Sequence, residues 1–257
     1  MQRLITYLLS ALILLPFVLL LGLSLAEAWR FPDVLPEAWT LAHWQQLFAL
    51  DAELGSSLLL SIGISLFVAT LATSSGFLTS RYIAYSPLRE RYLLLAYCPF
   101  VLSPVVYAAC IHYFFIKMGL SGQVGGVLLG QLIIAYPFAV IICHAHWNER
   151  LRSMEQLVAT LGGSRGAAFR RVILPISKGI LLVCFFQTFL ISWFEYGLTT
   201  LIGVGKVQTM TLKVFQYINE ADIYLAALSS WLLFLPPAIL LWFNKRFVFR
   251  EASNLEV

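Results

Sequence analysis

Hydrophobic positions along the chain form long unbroken runs rather than the alternation of a strand or the single apolar stripe of a surface helix. Six runs, at 4–26, 54–80, 92–116, 124–147, 179–203 and 224–243, are long and apolar. A helix needs about 20 such residues to cross the hydrocarbon core of a bilayer. The pattern predicts an all-α membrane protein with six transmembrane helices. The first run follows Arg3 but exceeds a signal-peptide core and lacks a convincing small-x-small cleavage site, so it reads as an uncleaved anchor.

One segment breaks the pattern. Between the fourth and fifth runs, residues 148–178 carry five arginines, the pair Gly162-Gly163 and Leu174-Pro175. Two helix-compatible pieces, 151–161 and 165–173, flank the glycines. Gly162-Gly163 offers the open backbone that ends a helix. Ser164 is placed to cap the second piece by accepting a backbone N–H. Pro175 is expected to stop that piece and re-aim the chain into the fifth run. Met154, Leu157 and Leu161 recur at helical spacing on one face of the first piece.

Composition agrees with a membrane class: 60% of residues are hydrophobic and 12% charged, against about 25% charged in soluble domains. Cys98, Cys110, Cys143 and Cys184 lie inside apolar runs, which argues against a disulfide framework or a cysteine metal site. The pI near 8.9 comes from cations concentrated in a few places, a topology signal and not a nucleic-acid footprint. With the N-terminus inside, thirteen lysines and arginines, among them Arg3, Arg81, Arg150 and Arg250, fall on the cytoplasmic side. Arg30, Lys117, Lys206 and Lys213 fall outside. Both termini and the 148–178 loop are therefore expected in the cytoplasm. The outer segment 27–53 holds five acids and one base, with Trp29, Trp39 and Trp44 suited to the headgroup layer. The expected division is a first helix with an interfacial segment, 1–53, and a five-helix core, 54–250.

Candidate chemistry is sparse. Glu195 is the one acid well inside a run, where a carboxylate costs about 2.5–3.5 kcal/mol, so it should face protein or water. It is either part of a solute path, with Trp193, Tyr196 and His112 nearby candidates, or a structural hydrogen-bond acceptor. His144 and His146, two apart, would point about 200° apart on a helix and could not share a metal ion. The pairs Pro99/Pro104 and Pro236/Pro237 either pack helices or kink them around a cavity. No GxxxxGK[ST] occurs, so any ATP and Mg must be bound by another chain. By spacing alone, the loop at 148–178 is either a basic segment touching anionic membrane lipid or a docking element for a cytoplasmic partner.

The order Leu161-Gly162-Gly163-Ser164, then Phe169-Arg170-Arg171-Val172, then Leu174-Pro175 resembles the EAA loop of ABC-importer permeases. In that family a glycine, nine further residues, an aliphatic residue, one variable position and Leu-Pro follow in order. Gln156, Leu157 and Val158 stand where the family has Glu-Ala-Ala, with Glu155 one position earlier and Ala159 still allowing close approach. Pro137-Phe138, Ser192-Trp193-Phe194-Glu195-Tyr196, Thr209-Met210-Thr211-Leu212 and Ala226-Ala227-Leu228-Ser229 are similar to further family runs, so the likeness covers nearly the whole chain.

The resemblance implies a type I importer (MetI-like) permease fold in a bacterial inner membrane and no enzymatic activity in this chain. The implied partners are an ABC ATPase dimer seated on the 148–178 loop, a second permease subunit and a periplasmic substrate-binding protein. Its docking residues would be Glu155, Gln156, Ala159, Gly162, Gly163, Ser164, Phe169, Leu174 and Pro175. The stretch Trp29-Arg30-Phe31-Pro32 resembles the polyamine, thiamine, ferric-ion and phosphonate group, and a lone Glu195 favours a small cation. A secondary transporter or channel without an ATPase is the alternative, and a membrane-bound enzyme finds no catalytic constellation.

Overall fold

The computed structural model describes residues 2–29, 36–45, 53–101 and 103–253. Arg30, Phe31 and Pro32 of the segment Trp29-Arg30-Phe31-Pro32, and residues 46–52 of the outer connection, lie outside the described residues. The described residues are mostly helical. Its elements are α1 (Gln2–Ser24), a short antiparallel pair β1 (Ala26–Ala28) and β2 (Ala38–Trp39), α2 (Ala42–Gln45), α3 (Glu53–Ala84), α4 (Arg89–Tyr97) and α5 (Pro104–Lys117). There follow α6 (Val124–His144), α7 (Glu149–Thr160), α8 (Arg165–Ala168), α9 (Leu174–Ile176), α10 (Lys178–Trp193), α11 (Gly197–Gly203), α12 (Met210–Asn219) and α13 (Ile223–Ser253).

Among the described residues, four helices are long and apolar enough to span a bilayer. These are Ile5–Ser24, Glu53–Ala84, Val124–His144 and Ile223–Trp242, and the bent pair Arg165–Ile176 plus Lys178–Trp193 adds a fifth. The six expected runs are thus not six uninterrupted helices. The third, 92–116, divides into α4, a 3₁₀ turn at Cys98–Val101 and the 14-residue α5. The cause is local: Pro99 and Pro104 remove backbone donors, and Ser103 restarts the helix by accepting from Val106 N. The fifth run, 179–203, breaks after Trp193 and resumes as α11. Pro137, Pro236 and Pro237, by contrast, lie inside continuous helices.

Contacts divide the chain into two units, Met1–Ile62 with Gln208–Ile239, and Gly63–Val207 with Leu240–Val257. In the first, Leu54, Met210, Leu228 and Leu232 form a buried cluster beneath Trp44, Leu58 and Tyr217. Ser61 Oγ accepts from Met210 N at 2.7 Å, and Trp29 N donates to Tyr224 Oη at 2.8 Å.

The second unit holds the loop. Its part of α3 buries Ser65, Val68, Ala69, Ala72, Thr73, Gly76 and Ser80 and turns Leu66, Phe67, Leu71 and Leu78 outward. Both faces are largely apolar, so they are sorted by size and hydrogen bonding. Small residues let backbones approach, and hydroxyls find partners across helices. At Gly76 an added Cβ would lie 2.5 Å from Ala139 Cβ on α6. Thr73 Oγ1 lies 3.2 Å from Thr188 Oγ1 on α10, Tyr136 donates to Thr79 at 2.9 Å, and Trp147 Nε1 donates to Ser80 Oγ at 2.9 Å.

Candidate functional site: the bent loop at 148–178

Helix α7 starts where Asn148, in extended conformation, accepts from Leu151 N at 3.0 Å. Leu151 is buried and anchors the helix. The opposite face points away from the rest of the chain: Leu157 is 60% exposed and Leu161 80%. Gln156 and Ala159 are exposed as well, and Glu155 is half-buried. The helix ends as expected at Gly162, whose φ of 79° lies in the left-handed region.

The two adjacent glycines serve different needs. A side chain at Gly162 would meet open space, and only its backbone conformation demands glycine. A Cβ at Gly163 would lie 2.5 Å from Val158 Cγ1 and 2.9 Å from Val158 O. Gly163 N also donates to Val158 O at 2.9 Å, so the chain folds back flat against the helix it has just left. Ser164 then caps α8 by accepting from Ala167 N at 3.2 Å.

Beyond α8 the structure departs from expectation. Phe169–Ile173 is a π turn, with Leu174 N donating to Phe169 O. Pro175 does not stop the helix. It lies in the first turn of α9, where its missing N–H costs little, and the wider π turn precedes it. The change of direction, 71° between 165–176 and 178–193, falls instead at Ser177. Ser177 is fully buried, and His146 Nε2 lies 2.8 Å from its Oγ. Burial pushes the His146 imidazole below its ordinary pKa.

Two concavities flank the loop. A cleft of about 310 Å³ lies in its crook, lined by Arg81, Tyr85, Arg152, Glu155, Gln156, Ala159, Gly163, Ser164, Arg165 and Ala168. An apolar groove of about 700 Å³ runs between α3 and α10, with Phe169 and Leu174 in its wall and Lys178 as its charged residue. Arg170, Arg171, Leu174 and Pro175 are exposed and Phe169 half-buried.

The residues proposed for a solute path are not brought together with this loop. Both Glu195 oxygens point into the start of α11. Oε1 accepts from Leu198 N, and Oε2 accepts from Thr199 N and Thr199 Oγ1, each at 2.8 Å. A carboxylate at a helix N-terminus satisfies orphan donors and meets the positive end of the macrodipole. Trp193 is 2% exposed and stacks on Phe189. His112 bonds Ser121 at 3.2 Å, while Phe194 and Tyr196 are the exposed aromatics beside the α10–α11 break.

Sequence reasoning passed over a polar chain in the same unit. Ser192 Oγ, 3.2 Å from Ser65 Oγ, donates to Gln131 Oε1 at 2.5 Å. Gln131 Nε2 donates to Thr199 Oγ1 at 2.9 Å, and Thr199 bonds Glu195. It links α3, α6, α10 and α11, and Gln131, an amide inside an apolar run, was the available signal. Among the described residues no three His, Cys, Asp or Glu side chains cluster to hold a metal.

Long apolar helices joined by a capped, bent polar loop mark an integral-membrane protein. No family model matches the chain. Curated relatives do. The trehalose transport system permease protein SugB of Mycobacterium tuberculosis is 25% identical over 184 residues, covering 70% of this chain and 67% of its own. The molybdenum transport system permease protein ModB of Haemophilus influenzae is 26% identical over 215 residues, covering 74% and 89%. The spermidine/putrescine transport system permease protein PotC of the same species is 23% identical over 161 residues, covering 62% and 63%. These similarities, at modest identity, support an inner-membrane ABC-importer permease.

Proposed function

We propose that the chain is the membrane subunit of a type I importer with six membrane crossings, both termini in the cytoplasm and the 148–178 loop docked on an ABC ATPase. ATP and Mg are bound and turned over on that separate chain. A second permease subunit, identical or homologous, completes the path, and a periplasmic binding protein delivers a small solute. The observation that carries this reading is the outward pair Leu157, on a short helix rich in charge, and Leu161, at its C-cap. Large apolar side chains left uncovered beside a cytoplasmic cleft mark a protein-contact surface. The capped bend behind them is stiff enough to pass on a displacement.

The solutes in the relatives' names, trehalose, molybdenum and spermidine/putrescine, differ in charge. With three internal donors on Glu195, its carboxylate gives no reason to prefer a cation. Tyr196, half-exposed beside the α10–α11 break, is the better of the named residues to meet a solute.

The test is co-purification of the permease with a candidate ABC ATPase, followed by uptake in proteoliposomes. Leu157→Ser with Leu161→Ser should abolish ATPase association while leaving insertion intact. Retained association and uptake would refute the docking role of these leucines, and failure of the unsubstituted protein to bind an ATPase would favour a lipid-facing loop in a transporter or channel without one.

A further inference from the structure

Arg81 sits in the last turn of α3 and touches both arms of the bent loop. Its Nη2 donates to Glu155 Oε1 on α7. Its guanidinium lies 5.8 Å from the centre of the Phe169 ring in the π turn, and Phe169 packs at 6.1 Å against Phe77, one turn back along α3. Beside it, Arg152 of α7 lies over the Tyr85 ring at 5.3 Å, and Tyr85 Oη donates to Asn148 O at 3.4 Å. The foot of α3 therefore grips α7 near its start and near its middle, and holds the π turn through Phe169.

Among the described residues, Arg81–Glu155 is the one ion pair joining the loop to a long apolar helix. Arg152–Glu149 lies within α7, and Lys213–Glu53 is in the other unit. The side chains of Arg81 and Glu155 are 30% and 18% exposed. Partial burial makes their attraction stronger than that of an open surface pair, and separating them would strand a charge.

We propose that Arg81 is a positioning residue that locks α3 to the loop, and that Glu155 serves this internal lock and is not offered to the ATPase. This rests on the reading of 148–178 as the docking loop. A displacement of α7 by the ATPase then moves the foot of α3 with it. Without the lock the loop slips against the helix, and ATP turnover loses its grip on the path.

The experiment uses the assembled transporter with its ATPase in proteoliposomes, comparing Arg81→Glu, Glu155→Arg and the double charge exchange. Each single change should keep ATPase association and raise the ATP hydrolysed per solute imported about tenfold, and the exchange should restore it to within about threefold. Loss of ATPase association in Glu155→Arg and in the exchange alike would overturn the proposal by placing Glu155 on the partner surface. Unchanged stoichiometry in both single variants would overturn it too. Failure of the unsubstituted protein to bind any ATPase would instead refute the docking reading. Should the variants not insert, spin labels at the exposed Tyr82 and Thr160 in the otherwise unaltered transporter decide the matter. One distance with and without ATP supports the lock, and a nucleotide-dependent distance refutes it.

Discussion

His146 Nε2 stands 2.8 Å from Ser177 Oγ, which pins the connection between α6 and α7 to the residue at which the chain turns into α10. The imidazole's pKa is depressed by burial, so the folded state favours its neutral form. Its contribution to stability is present above the unfolded value of about 6.5 and is lost as the pH falls from there through the lower folded value. Thermal unfolding in detergent between pH 8 and 5 should show that loss, and His146→Gln should flatten the slope. An unchanged slope would remove His146 from the account of the bend.

Gly162 and Gly163 should respond differently to alanine. Gly162→Ala strains the left-handed backbone, at about 1–2 kcal/mol, with no clash. Gly163→Ala drives a methyl into Val158 and should lower ATPase association more, and Val158→Ala in the same chain should relieve the side-chain part of that clash, the contact with Val158 O remaining. Additive effects in the double variant would show that the two residues do not meet.

Gln131→Leu removes the amide that joins Ser192 to Thr199 while keeping much of its volume. At about 0.6 kcal/mol per bond between membrane helices, the loss of two bonds should cost about 1 kcal/mol. Both hydroxyls retain a second partner, on Ser65 and Glu195, which limits the damage. A fall in melting temperature no greater than for an exposed change such as Leu129→Ala would contradict this.

Glu195→Ala should destabilise the protein by about 1 kcal/mol through loss of the cap, and Glu195→Gln by less, since one acceptor oxygen remains. If the residue acts only on α11, solute affinity in Glu195→Gln is unchanged. A large loss of affinity without loss of stability would return it to the solute path.

What could be read in the sequence is what local chemistry decides. Ser164, Gly162 and the helical pieces on either side were legible, because a cap and a left-handed residue act within one turn. Hydropathy could not see the break at Pro99–Pro104, since the residues flanking it are as apolar as the rest of the run. The break at Glu195 was hidden for the same reason, and the one charge there left a solute contact and a structural acceptor both open until its partners were seen: two backbone donors and the Thr199 hydroxyl. Arg81 with Glu155, and Ser65 with Ser192, are far apart along the chain, and no periodicity carries such pairings. Pro175 was misplaced as a stop because its effect depends on where it falls within a turn, which a single residue type does not reveal.

The π turn at Phe169–Ile173 places one residue more between the loop and α10 than an ordinary helical turn would. A wider turn takes up that extra residue, so the helical pieces on either side keep nearly the phase they would have without it. The segment therefore works as slack in the backbone. Deleting one of its residues should restore α geometry and leave the faces of 165–168 and 174–176 almost where they are, whereas a deletion within α7 would turn its outward leucines by about 100°.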